Sequence, residues 1–595
     1  MDNISSSVVL EVLKNALEGI ADGMAITVVR TSRSSVVRNG LDFSTALLNA
    51  DGKLIGQGMC QPIHLGGMEP ALRSILDKYQ GNISPGDILI NNDPYEGGSH
   101  LPDIFQYKPV FVGETLMGFC CAMTHHTDIG GRVAGGNSSD STEIYQEGLR
   151  IPPLKLYDQG SPNEALMRVI EKAVRVPDKV MGDLLGQVAA MEYGAEQYLQ
   201  LVKNYGRETL LHYQNQLLEY TESLMRKTIR TMPDGQWQFT DYIDDDGFSN
   251  TKIAIVVSLS KKDDQIVVNF EGTSSQCTGA IQPVFATTQG MVYSAVRNVV
   301  AALGVDIPNT SGYFNPIKVL APEGTFVNPN LPAPVAARNL GCIRVHQAVM
   351  GAFAQMLPER IYACSGGAEY LCTLSGYDRT VIPWQAWVQI EASNEFGSGG
   401  YPWRDGIDGE SAGSTNIANI PSEIMEVDNP VMIEQYGMVS DMEGAGKYRG
   451  CVGMVRAYKI LEDNVMVQIR SDRAKSSSYG LFGGQSPGNT QIVIERGSTT
   501  EVKESKFIDN LNTGDRLIAV LPGGGGWGLP YERDIDLVLN DVRLGKLSFE
   551  RAETVYGVAI KQSGLEFWVD EQLTNENRRS ICNDYLSDSC REKQA

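Results

Sequence analysis

DILINNDPYEGGSHLPDIFQYKPVFVGETLMGFCCAMTHHT, residues 87–127, decides how the chain begins to fold. Three apolar runs of strand length, DILINN, FQYKPVFV and LMGFCCAMTHH, are separated by turn-forming residues. Gly97, Gly98 and Pro102 mark a loop after the first run, and Gly113-Glu114 a turn before the third. The stretch therefore reads as strand, loop, strand, turn and strand.

Working outward, Asp42 to Gln57 reads as a hairpin: DFSTALLN, a turn at Ala50-Asp51-Gly52, then KLIGQ. Residues 6–22 carry apolar positions at helical spacing behind a polar start. From about 164 to 230 the pattern changes to long helices, with Pro177 interrupting the first join. WQFTDYID, TKIAIVVSLS and IVVNFEG then alternate as strands, and a helix covers 287–303. The last third is rich in glycine and short strands and ends in a polar helical tail near 547–590. The expectation is an α+β, multi-domain mixed fold. Its regions are 1–160, carrying the candidate chemistry; 161–235, helical; 236–440, mixed α/β; and 441–595, glycine- and strand-rich with the helical tail.

The 595 residues can bury a large core, with 42% hydrophobic residues. Fifty basic against 72 acidic residues give a net charge of -22, which argues against nucleic acid or an anionic membrane as partner. No apolar run is long enough to span a bilayer, and the polar Met1-Asp2-Asn3 start is unlike a signal peptide. The ten scattered cysteines form no Cys-x-x-Cys pair and read as thiols of a reducing compartment, so a cytoplasmic location is expected.

Only six histidines are present, and His100, His125 and His126 fall in the opening stretch with Asp103, with Asp128 just after it. His100 and Asp103 lie three apart in the loop after one strand, and His125 ends another. Adjacent strand ends would bring them together. Two imidazoles and a carboxylate suit a catalytic zinc, or manganese with more oxygen ligands. His125 and His126 should face opposite sides of a strand. One then binds metal, while His126, with Asp128, stands behind it and relays a proton.

Other motifs fail on physical grounds. Gly484-Gln485-Ser486-Pro487-Gly488 matches a nucleophile elbow, but Pro487 lacks the N–H that must serve as oxyanion donor. GGGGWG at 523–528 lies between Pro522 and Pro530 with no helix opening after it, and reads as a tight structural loop. Residues 443–448 have Tyr448 where a phosphate loop needs Ser or Thr, so no ATP site is expected in this chain.

NDPYEGGSHLPD, HHTDIGG, EIYQEGLRIPP, GAGKYRG, SDR and LPGGGGWG occur in the order seen in the hydantoinase B family, which the chain resembles from about residue 40 to 530. That family includes subunits of ATP-dependent hydantoinases and caprolactamase, part of 5-oxoprolinase, and subunits of acetone and acetophenone carboxylases. The resemblance implies a metal on His100, Asp103 and His125, with Asp42 added. The metal would be zinc in lactam-opening members and manganese in ketone carboxylases. It further implies a hydantoinase A-type partner that binds ATP and Mg, an (αβ)2 heterotetramer, and opening of a hydantoin, lactam or 5-oxoproline-type ring. The alternative is an ATP-dependent ketone carboxylase using bicarbonate. Tyr145, Glu147 and Arg150 of EIYQEGLRIPP either touch substrate or fix a loop, and the loop role is favoured.

Overall fold

A computed structural model of the chain describes residues 2–59, 61–366, 369–392, 397–411 and 413–592. The fold is α+β. The first sheet contains β1 (Phe43–Asn49), β2 (Leu54–Gln57), β3 (Ile88–Asn91), β4 (Asp103–Val112), β5 (Thr115–His125), β6 (Leu154–Asp158) and β7 (Ser161–Pro162). Their spatial order is β2-β1-β5-β4-β3-β6-β7, and every pairing is antiparallel.

The central strands are apolar along their whole length because both faces are covered. Phe43, Leu47, Cys120 and Ala122 pack on one face with Leu17 and Met24 of α1 (Asp2–Thr31). The same core takes in Leu184 and Met191 of a later helix. Ala46, Leu48, Cys121 and Met123 turn to the other face, against Met68, Leu72 and Ile75. Those three belong to α3 (Leu65–Tyr79), which follows the short α2 (Ser35–Arg38).

The expected long helices are α4 (Glu164–Ala173), α5 (Pro177–Tyr205) and α6 (Arg207–Arg230). Pro177 is the first residue of α5, where its missing N–H leaves no bond unmade. This helical region shares the first sheet's core rather than building its own. The link is specific. Gln187 of α5 donates to the Ile104 and Ala122 carbonyls, both at 2.8 Å, and its Oε1 accepts from Gln106 at 3.0 Å.

The second sheet has the order β11-β10-β9-β8. It is built from β8 (Gly235–Ile243), β9 (Ile253–Lys262), β10 (Gln265–Asn269) and β11 (Ile317–Leu320). It packs on α7 (Phe285–Ala302) and α8 (Asn339–Met356). In β9, alternate residues are buried, the pattern of a sheet with one covered face.

Two more sheets face each other across a shared core. One has the order β13-β12-β16-β19, from β12 (Leu371–Asp378), β13 (Gln385–Ala392), β16 (Val465–Arg470) and β19 (Lys506–Leu511). The other has the order β14-β15-β20-β17-β18, from β14 (Val431–Val439), β15 (Gly453–Ile460), β17 (Gln491–Arg496), β18 (Thr499–Lys503) and β20 (Arg516–Leu521). The short helix α9 (Ser422–Asp428) precedes β14.

The glycine run at 523–528 lies against 444–450 in backbone-to-backbone contact. Gly444 N donates to Gly524 O at 2.8 Å, and Tyr448 and Trp527 exchange two bonds. A Cβ at Gly526 would stand 2.0 Å from the Ala445 carbonyl oxygen, so the close approach requires glycine.

The structure departs from the sequence reading in three places. The first helix runs from Asp2 to Thr31, beyond the expected 6–22. The tail is not one helix: α10 (Ile535–Arg543) and α11 (Phe549–Thr554) are followed by the hairpin β21 (Ile560–Ser563) and β22 (Glu566–Val569), and then α12 (Glu571–Glu592). Helices α3 and α8 were not foreseen. Pro70 sits inside α3, and α8 is buried on nearly every side, which erases the amphipathic period.

Cys120, Cys121, Cys277, Cys342, Cys364, Cys372, Cys451 and Cys582 are free thiols, while Cys60 lies outside the described residues. Among the described residues no helix is long and apolar enough to cross a membrane.

Gln187→Leu would strand two sheet carbonyls and the Gln106 amide while keeping the side-chain volume. A loss of about 2–4 kcal/mol is expected, read as a lower urea midpoint with an unchanged slope.

Candidate metal centre

Three strand ends meet at one edge of the first sheet. Asp103 opens β4, His125 closes β5, and the two are direct partners across the antiparallel ladder. Asp42 immediately precedes β1, and its carbonyl accepts the His125 N–H at 3.0 Å. His100 is brought in by the turn before β4, in which Asp103 N donates to the His100 carbonyl at 3.0 Å.

The loop ahead of this turn is tied down by its own side chains. Asn92 Nδ2 donates to Leu101 O (2.7 Å) and Leu149 O (3.0 Å), and Asn92 Oδ1 accepts from Ile151 N (2.6 Å). Gly97 adopts φ +90°, and a Cβ there would lie 2.4 Å from the Pro70 backbone.

His100, Asp103 and His125 each offer a ligand atom, and these atoms lie within 4.8 Å of one another. His100 and Asp103 are fully buried and His125 nearly so. His100 Nδ1 lies 2.9 Å from the Ala336 carbonyl oxygen, which fixes its proton on that nitrogen. Nε2 then directs a lone pair at Asp103 Oδ1, 3.2 Å away. Among the described residues neither atom has a hydrogen-bond partner. Two unpaired acceptors facing each other in a buried site repel, and a cation between them removes the conflict. The residues present therefore fit a divalent ion, and two imidazoles with a carboxylate favour a transition metal over calcium or magnesium.

Electrostatics point the same way. Burial lowers the His100 pKa to about 4, with Arg338 adding to the effect, and holds His125 well below its ordinary range. Both imidazoles are thus neutral, the ligand form. Burial alone would raise Asp103, but the cationic groups around it, of which Arg338 is permanently charged, hold it well below the usual carboxylate range. Asp42 is pushed up to about 7 by burial and by the neighbouring Asp103.

Asp42 lines the same narrow cavity as His100 and His125, a space of about 30 Å³. His126 and Asp128 do not. His126 Nε2 sits 3.1 Å from Thr124 Oγ1 and 3.2 Å from Gln187 Oε1, under α5. Asp128 accepts from the Gly135 N–H (2.9 Å) and from Arg175 N (2.6 Å), fixing loops. The two residues expected to relay a proton thus stand outside this cavity, with His126 Nε2 and both Asp128 oxygens bonded to other groups.

Sequence reasoning missed four wall residues. His64 Nε2 stands 3.9 Å from both Asp42 and Asp103, and its Nδ1 is 2.9 Å from Ser44 Oγ. Arg338 binds Asp103 Oδ2 and donates to Ser99 Oγ at 2.5 Å. Glu369 and Arg470 also line the wall and bond each other at 3.1 Å. No local motif marked any of them except that Arg470 adjoins Ser471-Asp472-Arg473. In EIYQEGLRIPP, Glu147 Oε1 accepts from Val335 N and Ala336 N (2.7 and 2.9 Å), Arg150 donates to Asp93 (2.7 Å), and Tyr145 is exposed. Glu147 thereby steadies the carbonyl that holds His100.

Comparison with known proteins agrees with this architecture. The family model described as Hydantoinase B/oxoprolinase matches residues 6–530. The B subunit of a putative D-/L-hydantoinase from Pseudomonas sp. (strain NS671) is 31% identical over 96% of this chain and 98% of its own length. The crystal structure of the ATP-dependent caprolactamase from Pseudomonas jessenii superposes with a TM-score of 0.89 at 29% identity, covering 96% of this chain and 99% of that one. A nucleotide-free acetone carboxylase structure gives a TM-score of 0.90 at 18% identity, over 98% of this chain and 83% of that one, a likeness of fold.

Arg338→Met would leave the buried Asp103 carboxylate without its cationic partner. A destabilisation of about 3–5 kcal/mol is expected, measured by chemical unfolding of the purified chain.

Proposed function

The chain belongs to the hydantoinase B/oxoprolinase family, and we propose that it is the metal-bearing component of an ATP-dependent enzyme that hydrolyses a cyclic amide, a ring of the hydantoin, lactam or 5-oxoproline type. The observation that carries this reading is the pair of facing acceptors His100 Nε2 and Asp103 Oδ1, buried and unpaired among the described residues. His100, Asp103, His125 and Asp42 would hold the ion, zinc by preference from this donor set and manganese otherwise. Bound there, such an ion supplies Lewis acidity that polarises a carbon–oxygen or phosphorus–oxygen bond.

The chain's own groups prepare the site. Ala336 O holds the Nδ1 proton of His100 and so keeps Nε2 free. Arg338 engages Asp103 Oδ2, leaving Oδ1 toward the histidine. Ile63, Leu371 and Ile390 form an apolar part of the wall that excludes bulk water. Arg338 and Arg470 pair with Asp103 and Glu369 and offset their charge in the wall.

Opening an unstrained amide ring can be uphill, which gives ATP coupling its physical purpose. The nucleotide and its Mg would sit on a separate hydantoinase A-type chain in an (αβ)2 assembly. Two relatives, the hydantoinase B chain and the caprolactamase beta chain, are each one component of a larger enzyme, which supports a partner. The acetone carboxylase likeness, at 18% identity, supports the fold and gives no argument for carboxylation.

The complex with its partner should release ADP when given a hydantoin, a lactam or 5-oxoproline, with an open-chain acid as product. Release only with a ketone and bicarbonate would overturn the amide reading. Elemental analysis should find near-stoichiometric zinc or manganese on the wild-type chain. His100→Ala should lose that metal together with ring opening, and normal turnover in this variant would sink the site assignment.

A further inference from the structure

Beyond the ion-binding groups, the cavity wall carries a carboxylate that the chain only half satisfies. Glu369 lies two residues before β12, is 2% exposed, and has φ +41°, an unusual backbone for a residue with a side chain. Its Oε1 accepts from Asn339 Nδ2 at 2.8 Å and from Arg470 Nη2 at 3.1 Å. Among the described residues its Oε2 has no hydrogen-bond partner. Asn339, at the start of α8, is in the same state. Its Nδ2 must face Glu369 Oε1, which fixes the amide orientation and leaves Oδ1 unpaired. Both residues line the cavity that holds His100 and His125.

Leaving buried acceptors unpaired is costly, and a fold that retains two of them at a ligand cavity keeps them for a donor. The placement is rigid. Arg470 Nη1 also donates to Ala336 O at 3.2 Å, the same carbonyl that takes His100 Nδ1. A second Nη1 bond goes to Asn137 Oδ1 at 3.3 Å. One carbonyl therefore holds the carboxylate and the candidate ligand histidine in fixed relation. Burial pushes the Glu369 carboxyl up from its ordinary range, and Arg470 and Asn339 oppose that shift.

Cyclic amides of this type present a ring N–H beside the carbonyl, and imidazole and carboxylate atoms engaged with an ion would not be free to accept it. We propose that Glu369 reads the substrate's ring N–H. Its Oε2 accepts that hydrogen, and Asn339 Oδ1 serves a second ring N–H where the substrate has one. The assignment rests on the cyclic-amide reading above. It makes Glu369 a specificity residue that sets the ring's orientation while the oxygen side of the amide faces the ion-binding groups.

Glu369→Gln is the test. Arg470 and Asn339 are both donors and hold the amide oxygen, so the new NH2 takes the place of Oε2 and confronts the ring N–H. Binding is compared, in the complete complex, for the best cyclic amide and for the same ring with its N–H replaced by oxygen, the latter as a competitive inhibitor. In the wild type the N–H to O change should weaken binding roughly 10–100-fold. In E369Q that ratio should collapse toward unity, with metal content unchanged. A ratio that persists in E369Q, with both ligands weakened alike, overturns the role of Glu369 and leaves the functional reading intact. If E369Q fails to fold or to keep metal, Glu369→Asp retains the charge but withdraws Oε2. The amide should then lose affinity and its oxygen analogue should not, and equal losses overturn the proposal. A wild-type complex that no cyclic amide stimulates overturns the functional reading and this proposal together.

Discussion

Two lone pairs facing each other in a buried cavity are the constraint around which this molecule is arranged. His100 Nε2 and Asp103 Oδ1 are 3.2 Å apart, buried, and without donors among the described residues. Nothing local relieves that repulsion. It persists because the antiparallel ladder pairs Asp103 with His125 and because the Ala336 carbonyl fixes the His100 tautomer. A one-residue slip of β4 against β5 would turn the Asp103 side chain to the opposite face and dissolve the arrangement. Coverage of the sheet by α1 and α5 on one face and α3 on the other makes such a slip prohibitive, since every central strand residue would exchange its packing partners.

The centre is composite. The first sheet and its flanking loops supply Asp42, His100, Asp103 and His125, but the groups that orient them come from far along the chain. Arg338 precedes α8, Glu369 precedes β12, and Arg470 ends β16. Glu147 connects the two halves by holding the backbone of Val335 and Ala336. The second sheet with its helices, and the paired sheets beyond it, are therefore part of the site's construction. The contact of 523–528 with 444–450 belongs to the same economy of space: glycine there lets two backbones exchange hydrogen bonds at a distance that side chains forbid.

What the sequence determined by itself was local. The strand–loop–strand–turn–strand reading of 87–127, the hairpin from Asp42 and the long helices of 164–230 were legible, because period and turn chemistry are written in neighbouring residues. The grouping of His100, Asp103 and His125 was legible for the same reason, since a hairpin joins β4 to β5. Asp42 entered through family resemblance, not through any spacing. Tertiary structure decided the rest. It placed His126 and Asp128 in bonds to Gln187 and Arg175, made a helix across Pro70, and buried α8 so completely that its periodicity vanished. It alone brought His64, Arg338, Glu369 and Arg470 to the cavity. Contacts between residues remote in sequence are fixed by how elements pack, and no pattern in the intervening chain records them.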